Sequence, residues 1–238
     1  MRKRNFLLAL VLLISSVVVI AAQTPAPDPA SAIERGNRSF AQADYEAAIR
    51  EYERVPASAG ANYALALYNI GVSHYELWRT DEAVCYYRLA IAARHGEYAR
   101  ASYALGVALE DQGHVIEAKV AYQQSITASH GEYAAAHYRL GVLFAGQGDS
   151  EAAAESFKKA LRRPGLHLPA SHNNLGVMLV RLGQLVEAQR EFETALQQAN
   201  GNFEDANHNL KLCRSLLSMP PTSVAAFRVS EVIPSPNK

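Results

Sequence analysis

Residues 99–133 read ARASYALGVALEDQGHVIEAKVAYQQSITASHGEY. Small and apolar residues recur at three- and four-residue spacing on either side of Gln112-Gly113, the pattern of two short amphipathic helices around a turn. The unit is copied along the chain. Gly36, Gly71, Gly106, Gly141 and Gly176 are spaced by 35 residues. Twelve residues after each stands an alanine: Ala48, Ala83, Ala118, Ala153 and Ala188. Four further on comes an aromatic: Tyr52, Tyr87, Tyr122, Phe157 and Phe192. Three beyond that the side chain is mostly small: Val55, Ala90, Ser125, Ala160 and Ala195. A helix pair of this length cannot bury its apolar face alone, so successive pairs must stack around a shared core. Glycine or alanine lets two helix backbones approach where they cross, and the aromatic fills the space beside that contact.

The order bulky residue, Leu-Gly, aromatic, Ala, aromatic, Ala is carried by YALG, YRLG and NNLG and the slots that follow them. It resembles the tetratricopeptide repeat (TPR) family over about residues 29–203. The resemblance implies an all-α, right-handed superhelical solenoid of helix-turn-helix repeats closed by a C-terminal capping helix. Two departures stand out. The period is 35 residues where the family's is about 34. His-Gly, in ARHGEYA and ASHGEYA, replaces the usual proline, of which only Pro164 keeps a trace. Gly96 and Gly131 are expected to end their helices in the left-handed cap conformation instead. The first copy predicts helices at about Ala30–Ala41 and Tyr45–Arg54, and the last at about Pro169–Arg181 and Leu185–Gln198. A further amphipathic segment, about Phe203–Met219, resembles the family's capping helix.

The sequence divides into an apolar N-terminal segment (1–22), a Pro-rich linker (23–31), five repeats (32–203), the cap (204–219) and a Pro- and Ser-containing tail (220–238) that reads as disordered. Within that tail VAAFRVSEVI has the composition of a strand. The N-terminal segment begins with Arg2, Lys3 and Arg4 and continues as an uncharged run from Phe6 to Ala22. That fits a bacterial-style secretory signal with Ala21-Ala22 in the cleavage region, or an uncleaved membrane anchor. No cysteine stands directly after the run, so a lipoprotein anchor is not expected. Either way the repeats are expected outside the cytoplasm, in the periplasm or on the outer face of the inner membrane. Without residues 1–22 the chain carries 20 basic and 23 acidic side chains, a net charge of −3. A mixed, mildly acidic surface argues against nucleic acid as a partner.

Candidate chemistry is sparse. Cys85 and Cys213 are 128 residues apart, nearly four repeats, too far for an internal disulfide, and both are expected to be small buried residues. His95 and His130 share one slot, His137 and His172 another. One repeat of separation cannot bring two ring nitrogens to one ion, so no metal site is expected; the first pair reads as loop-capping and the second as helix-packing. There is no nucleophile elbow, phosphate loop or zinc motif, and neither enzymatic activity nor a cofactor is expected. Trp78 occupies the helix turn of the second copy, where Gly113, Gly148 and Gly183 stand in later copies. Either that turn is shaped differently, with the ring packed locally, or an exposed ring marks a contact surface; local packing is the favoured expectation.

In the family, first helices line a concave groove that holds a peptide. Residues one turn apart share a helix face, so Tyr68, Tyr103 and Tyr138 form a column at repeat spacing, extended by Phe40 and Tyr75. Such rings suit partner contact and equally suit packing between first helices. The column Tyr63, Tyr98, Tyr133, Leu168 and Phe203 is expected to pack where one repeat meets the next. Glu76, Glu110 and Asp111 read as an acidic section of the groove, and Arg139, Asn173, Asn174 and Arg181 as a basic, amide-rich one. Some chaperone-binding relatives clamp a peptide carboxylate. Asn37, Asn69 and Arg100 match three of those slots, whereas Ile33 and Ala104 do not, which counts against a complete clamp. The resulting expectation is a non-catalytic scaffold or adaptor of the cell envelope that takes a peptide or helix in its groove. An accessory subunit of an envelope enzyme or of a secretion or pilus assembly, and a self-assembling structural module, are the alternatives. The expected groove residues are Asn37, Phe40, Tyr68, Tyr75, Arg100, Tyr103, Tyr138, Arg139, Asn173 and Arg181.

Overall fold

The computed structural model describes residues 28–162 and 168–219. The readings of the N-terminal segment, of most of the linker and of the C-terminal tail lie outside them. Among the described residues there are eleven α-helices and no strand. Helix α1 (Pro29–Ala41) pairs with α2 (Tyr45–Tyr52), α3 (Ala61–Glu76) with α4 (Thr80–Ala93), and α5 (Ala99–Asp111) with α6 (Val115–Ala128). Next come α7 (Ala134–Gly146) with α8 (Ser150–Leu161), and α9 (Leu168–Arg181) with α10 (Leu185–Gln198); α11 (Glu204–Ser218) packs on α10 and α9. Contacts run almost wholly between consecutive helices. This is a right-handed superhelical stack of five helix pairs and a closing helix.

Local chemistry starts and stops the helices. Asp28, Asp44 and Asp149 cap α1, α2 and α8, each accepting a bond from a backbone N–H three residues on, at 2.9–3.0 Å. Pro29 stands in the first turn of α1, where its missing N–H costs nothing. The turn inside every pair has one form. The second residue after the first helix adopts positive φ in all five copies: Ala43, Trp78, Gly113, Gly148 and Gly183. The next residue's N–H then reaches back five positions, as in Arg79 to His74 O (2.9 Å) and Gln184 to Leu179 O (2.8 Å). This is the six-to-one closure of a Schellman cap.

The connections between pairs use the same device. Gly96 and Gly131 have positive φ, as expected, but so do His95 and His130 before them. The histidine occupies the left-handed cap position, and the glycine N–H makes the closing bond, to Ile91 O at 2.9 Å and Ile126 O at 2.8 Å. Histidine is among the residues that enter this region more readily. The first connection differs: Val55-Pro56 leads through a 3-10 turn, Ala57–Ala59, to Gly60 at φ +57°.

The core is a column of aromatic rings lying on glycines. Tyr52, Tyr87, Tyr122, Phe157 and Phe192 are all at most 2 % exposed. A Cβ placed on the paired glycine would stand 2.4–2.7 Å from the ring. The expected reason for the glycine is thereby refined. Its missing side chain makes room first for its own repeat's aromatic; at Gly71 a backbone atom of the second helix, Ala83 O, also comes within 3.4 Å. The alanines of the second slot are fully buried beneath. Helix α11 closes the stack with Ala206, Leu210, Cys213 and Leu216, and its far side carries Asn207, His208, Lys211 and Arg214 in solvent.

Two expectations are corrected. Cys85 is exposed on the outer stripe of α4; only Cys213 is buried, its thiol reaching Leu185 O at 3.3 Å. Trp78 is not packed locally: it is 77 % exposed and sits at φ +60°. The common turn closure imposes the left-handed conformation there, whatever residue the sequence supplies. An L-residue in that region is disfavoured by about 1–2 kcal/mol. Trp78→Gly is therefore expected to raise unfolding stability by about 0.5–1 kcal/mol, after allowing for glycine's larger chain entropy. A urea titration followed by circular dichroism measures it; a loss of stability would mean the indole contributes contacts to the fold.

Candidate functional site

The first helices α1, α3, α5, α7 and α9 line one side of the stack, with direct contacts from α1 to α3 and from α3 to α5. The expected column of tyrosines on this side divides into two classes. Tyr138 is 3 % exposed, its ring 5.7 Å from Phe157 and its hydroxyl bonded to Asn174. It belongs to the core, and as a groove contact the expectation is corrected. Tyr68 and Tyr103 are only half-buried. Tyr68 lies tilted between Tyr87 (5.9 Å) and Tyr98 (5.7 Å), and Tyr103 between Tyr122 (5.7 Å) and Tyr133 (5.2 Å).

Arg100 is exposed above this floor, its guanidinium 6.0 Å from the Tyr68 ring centroid. Tyr98 and Tyr133 sense the same cation, and burial holds both phenols above their ordinary pKa. The hand-over tyrosines thus pack, as expected, but they also edge the patch. Sequence reasoning placed them at the repeat boundary and missed this second role. The signal was available: Tyr98 and Tyr133 recur in register with the column tyrosines, at the start of the helices that carry Tyr103 and Tyr138.

A polar network borders the patch. Glu110 accepts the Tyr122 hydroxyl at 2.6 Å and pairs with Arg139 at 3.5 Å, both side chains about four-fifths buried. Arg139 also bonds Tyr103. One member of the acidic section read from sequence, Glu110, therefore pairs with one member of the basic section, Arg139. Asn173 is fully buried, accepting from Asn209 at 3.0 Å, and Asn174 is 3 % exposed. Both are interior residues that tie α9 to its neighbours, which corrects Asn173 as a groove residue. Polar side chains sit there because each finds a partner across the helix interface.

The remaining residues are spread along the inner side. Asn37 is exposed and accepts from the Tyr52 hydroxyl (2.8 Å) and from Asn69 (3.4 Å), linking the first two repeats. Phe40 packs edge-on against Tyr45 at 5.1 Å within the first turn, away from the tyrosine patch. Tyr75 donates to Asp111, and burial together with that carboxylate raises its pKa. Arg181 is exposed at the end of α9. The structure thus assembles Tyr68, Arg100, Tyr103 and Arg139 into one patch with Tyr98 and Tyr133, and leaves Asn37, Phe40, Tyr75 and Arg181 outside it.

The arrangement offers aromatic surface and an accessible cation on rigid helices, and none of the patch residues is a nucleophile held by a base.

Comparison with known proteins agrees with the architecture. Similar solved structures include MamA (residues 41 to the end) from Desulfovibrio magneticus RS-1, 23 % identical over 74 % of this chain and 98 % of that one, with a TM-score of 0.59. A thermophilic TPR protein from Thermus thermophilus, TTC0263, is 22 % identical over 79 % and 100 % of the chains, TM-score 0.50. YrrB, a TPR protein with an unusual peptide-binding site, is 19 % identical over 77 % and 92 %, TM-score 0.60. These likenesses concern the fold. No curated protein sequence matches the chain. The tetratricopeptide repeat family model matches residues 68–126, 103–167 and 147–203, together more than half of the sequence. The chain belongs to the tetratricopeptide repeat family.

Proposed function

We propose that this protein is a non-catalytic scaffold of the bacterial cell envelope that holds a peptide or helix of a partner protein on its concave side. The observation that carries this reading is the patch on α3 and α5: a floor of half-buried tyrosines with exposed Arg100 above it. Half-buried aromatic rings give large contact area with little entropy lost on binding, and arginine can grip a carboxylate with two parallel bonds. A segment with an acidic side chain or terminal carboxylate beside an apolar one fits both parts. The basic start and uncharged run of the N-terminal segment support an exported location. Similarity to a peptide-binding TPR protein is consistent with the mode of contact.

Capture from envelope extracts with the full chain, its Arg100→Glu variant and its Tyr103→Ala variant tests the proposal. A specific partner should be retained by the parent and lost at least tenfold from both variants, with helicity kept in both, melting nearly unchanged for Arg100→Glu, and a loss of about 1–2 kcal/mol for Tyr103→Ala, whose ring is half-buried. Tyr138→Ala should behave differently. It removes a buried ring and is expected to cost about 3–5 kcal/mol of stability. Equal capture by parent and variants would remove this patch as the binding site.

A further inference from the structure

The patch on α3 and α5 has a fitting occupant within the same chain, an inference that rests on that patch being a binding surface. Residues 220–238 follow α11 and read PPTSVAAFRVSEVIPSPNK. In an extended chain successive side chains point to opposite faces. One face of the central run then carries Phe227, Val229, Glu231 and Ile233, and the other Ala226, Arg228, Ser230 and Val232. The first face is apolar apart from one carboxylate. Glu231 is also the only acidic side chain of residues 220–238.

That face complements the patch in chemistry. Arg100 is exposed, lies 6.0 Å from the Tyr68 ring centroid and has no carboxylate partner among the described residues. The neighbouring cation, Arg139, is already engaged by Glu110. We propose that residues 227–233 dock on the tyrosine patch of their own chain as an internal ligand, with Glu231 on Arg100 and Phe227 over Tyr103 and Tyr133, so that a partner must displace them. The pairing is a charge-assisted contact beside an aromatic one, the combination the patch offers. Arg228 falls on the opposite face and stays in solvent.

The length of the tail and its point of departure match as well. Helix α11 packs on α9 in the first-helix position of a further copy. From there α5 is three positions away, about 27 Å at about 9 Å per step. In the 35-residue register Arg100 corresponds to Asp205 of α11. Ser218, where α11 ends, stands about 20 Å further along the helix axis at about 1.5 Å per residue. The two displacements combine to a gap of about 34 Å between Ser218 and Arg100. Residues 218 to 231 span about 43 Å when extended, so Glu231 reaches with length to spare. The order of residues also fits. A chain leaving α11 meets α5 before α3, and Phe227 precedes Glu231 by about 13 Å. Tyr103 on α5 likewise comes about one helix spacing before Tyr68 on α3, which has Arg100 above it. The reverse order of aromatic and acid would miss both. So short a tether holds the segment at an effective concentration in the millimolar range. A contact of sub-millimolar strength is then occupied most of the time, and the apparent affinity for a partner falls by the same factor.

Limited proteolysis of the full chain with chymotrypsin tests this without any partner, the cut after Phe227 being read by intact mass. The rate of such a cut tracks the fraction of tail that is undocked. The parent should be cut at least fivefold more slowly than Arg100→Glu or Glu231→Arg, with the same rate constant at low and high protein concentration. The double variant Arg100→Glu/Glu231→Arg should recover the slow rate, and helicity should be unchanged throughout. In the capture experiment Phe227→Ala should raise partner retention about fivefold. Equal cutting of parent and Arg100→Glu, or failure of the double variant to recover, would overturn the assignment. Protection that grows with protein concentration would place the tail on another copy and overturn the internal contact as well. The two readings separate cleanly. Protection that Arg100→Glu abolishes, beside partner capture indifferent to that variant, removes the proposed function and leaves the internal ligand standing; capture through the patch by a chain whose tail is cut freely does the reverse.

Discussion

Gly106→Leu is expected to be the most damaging single substitution in the middle of the stack. A Cβ at Gly106 would stand 2.5 Å from Cε1 of Tyr122. That ring cannot retreat. It is fully buried, its hydroxyl is bonded to Glu110 at 2.6 Å, and the Tyr103 ring lies 5.7 Å away. Overpacking of this kind costs about 1–3 kcal/mol for small insertions, and more where the obstacle is a fixed ring. Leucine's better helix propensity returns at most about 1 kcal/mol. The expected outcome is a loss of about 3 kcal/mol or more, read from urea unfolding followed by circular dichroism. Gly146→Ala is the control, because no atom lies within 4 Å of the Cβ it would add. It should leave stability unchanged or raise it by up to about 1 kcal/mol. Equal behaviour of the two variants would mean that the ring does not guard the glycine.

The second large effect is alkaline unfolding. Burial pushes the Tyr52 phenol up to about 12, from an ordinary value of 10.0. Tyr87 and Tyr122 are raised further by burial, Tyr122 also by the Glu110 carboxylate beside it, and Tyr75 by burial and Asp111. An unfolded chain releases these protons near pH 10, while the folded chain keeps them. Their contribution to stability is therefore complete below about pH 10 and is lost as pH rises through the folded values. Helicity should collapse cooperatively between about pH 10 and 12, with most tyrosinate absorbance appearing in the same step. Tyr122→Phe keeps the ring, as Phe157 and Phe192 do in later copies, and should make the loss less steep. Early tyrosinate absorbance with helicity intact would contradict the burial of these rings.

The glycine–aromatic frame was legible because both members recur in register and each has a steric reason to exist. How tightly the ring sits on the glycine was not legible, since spacing along a chain does not show how closely a side chain approaches its neighbour. Trp78 illustrates a different limit. Its residue type argued against a left-handed backbone, but the turn is fixed by the closing bond that all five pairs share, so the conformation there is collective. Tyr103 and Tyr138 occupy the same slot and differ in burial and in partner: the next repeat places Arg139 against Tyr103 and Asn174 against Tyr138. The same holds for Glu110 and Arg139, which read separately as an acidic and a basic section and form a pair in space. Periodicity gives the frame, and the surroundings contributed by the adjacent copy decide what each variable residue does.

The run of contacts between consecutive helices has a kinetic consequence. No early helix waits for a distant segment to complete its packing, so loop-closure entropy is small and folding is expected to be fast. A chain emerging N-terminus first can fold pair by pair, each new pair finding a finished surface to land on. The growing end exposes apolar surface only until the next pair arrives, and α11 ends the process. Such a molecule can be threaded through a narrow passage and rebuilt on the far side, one repeat at a time.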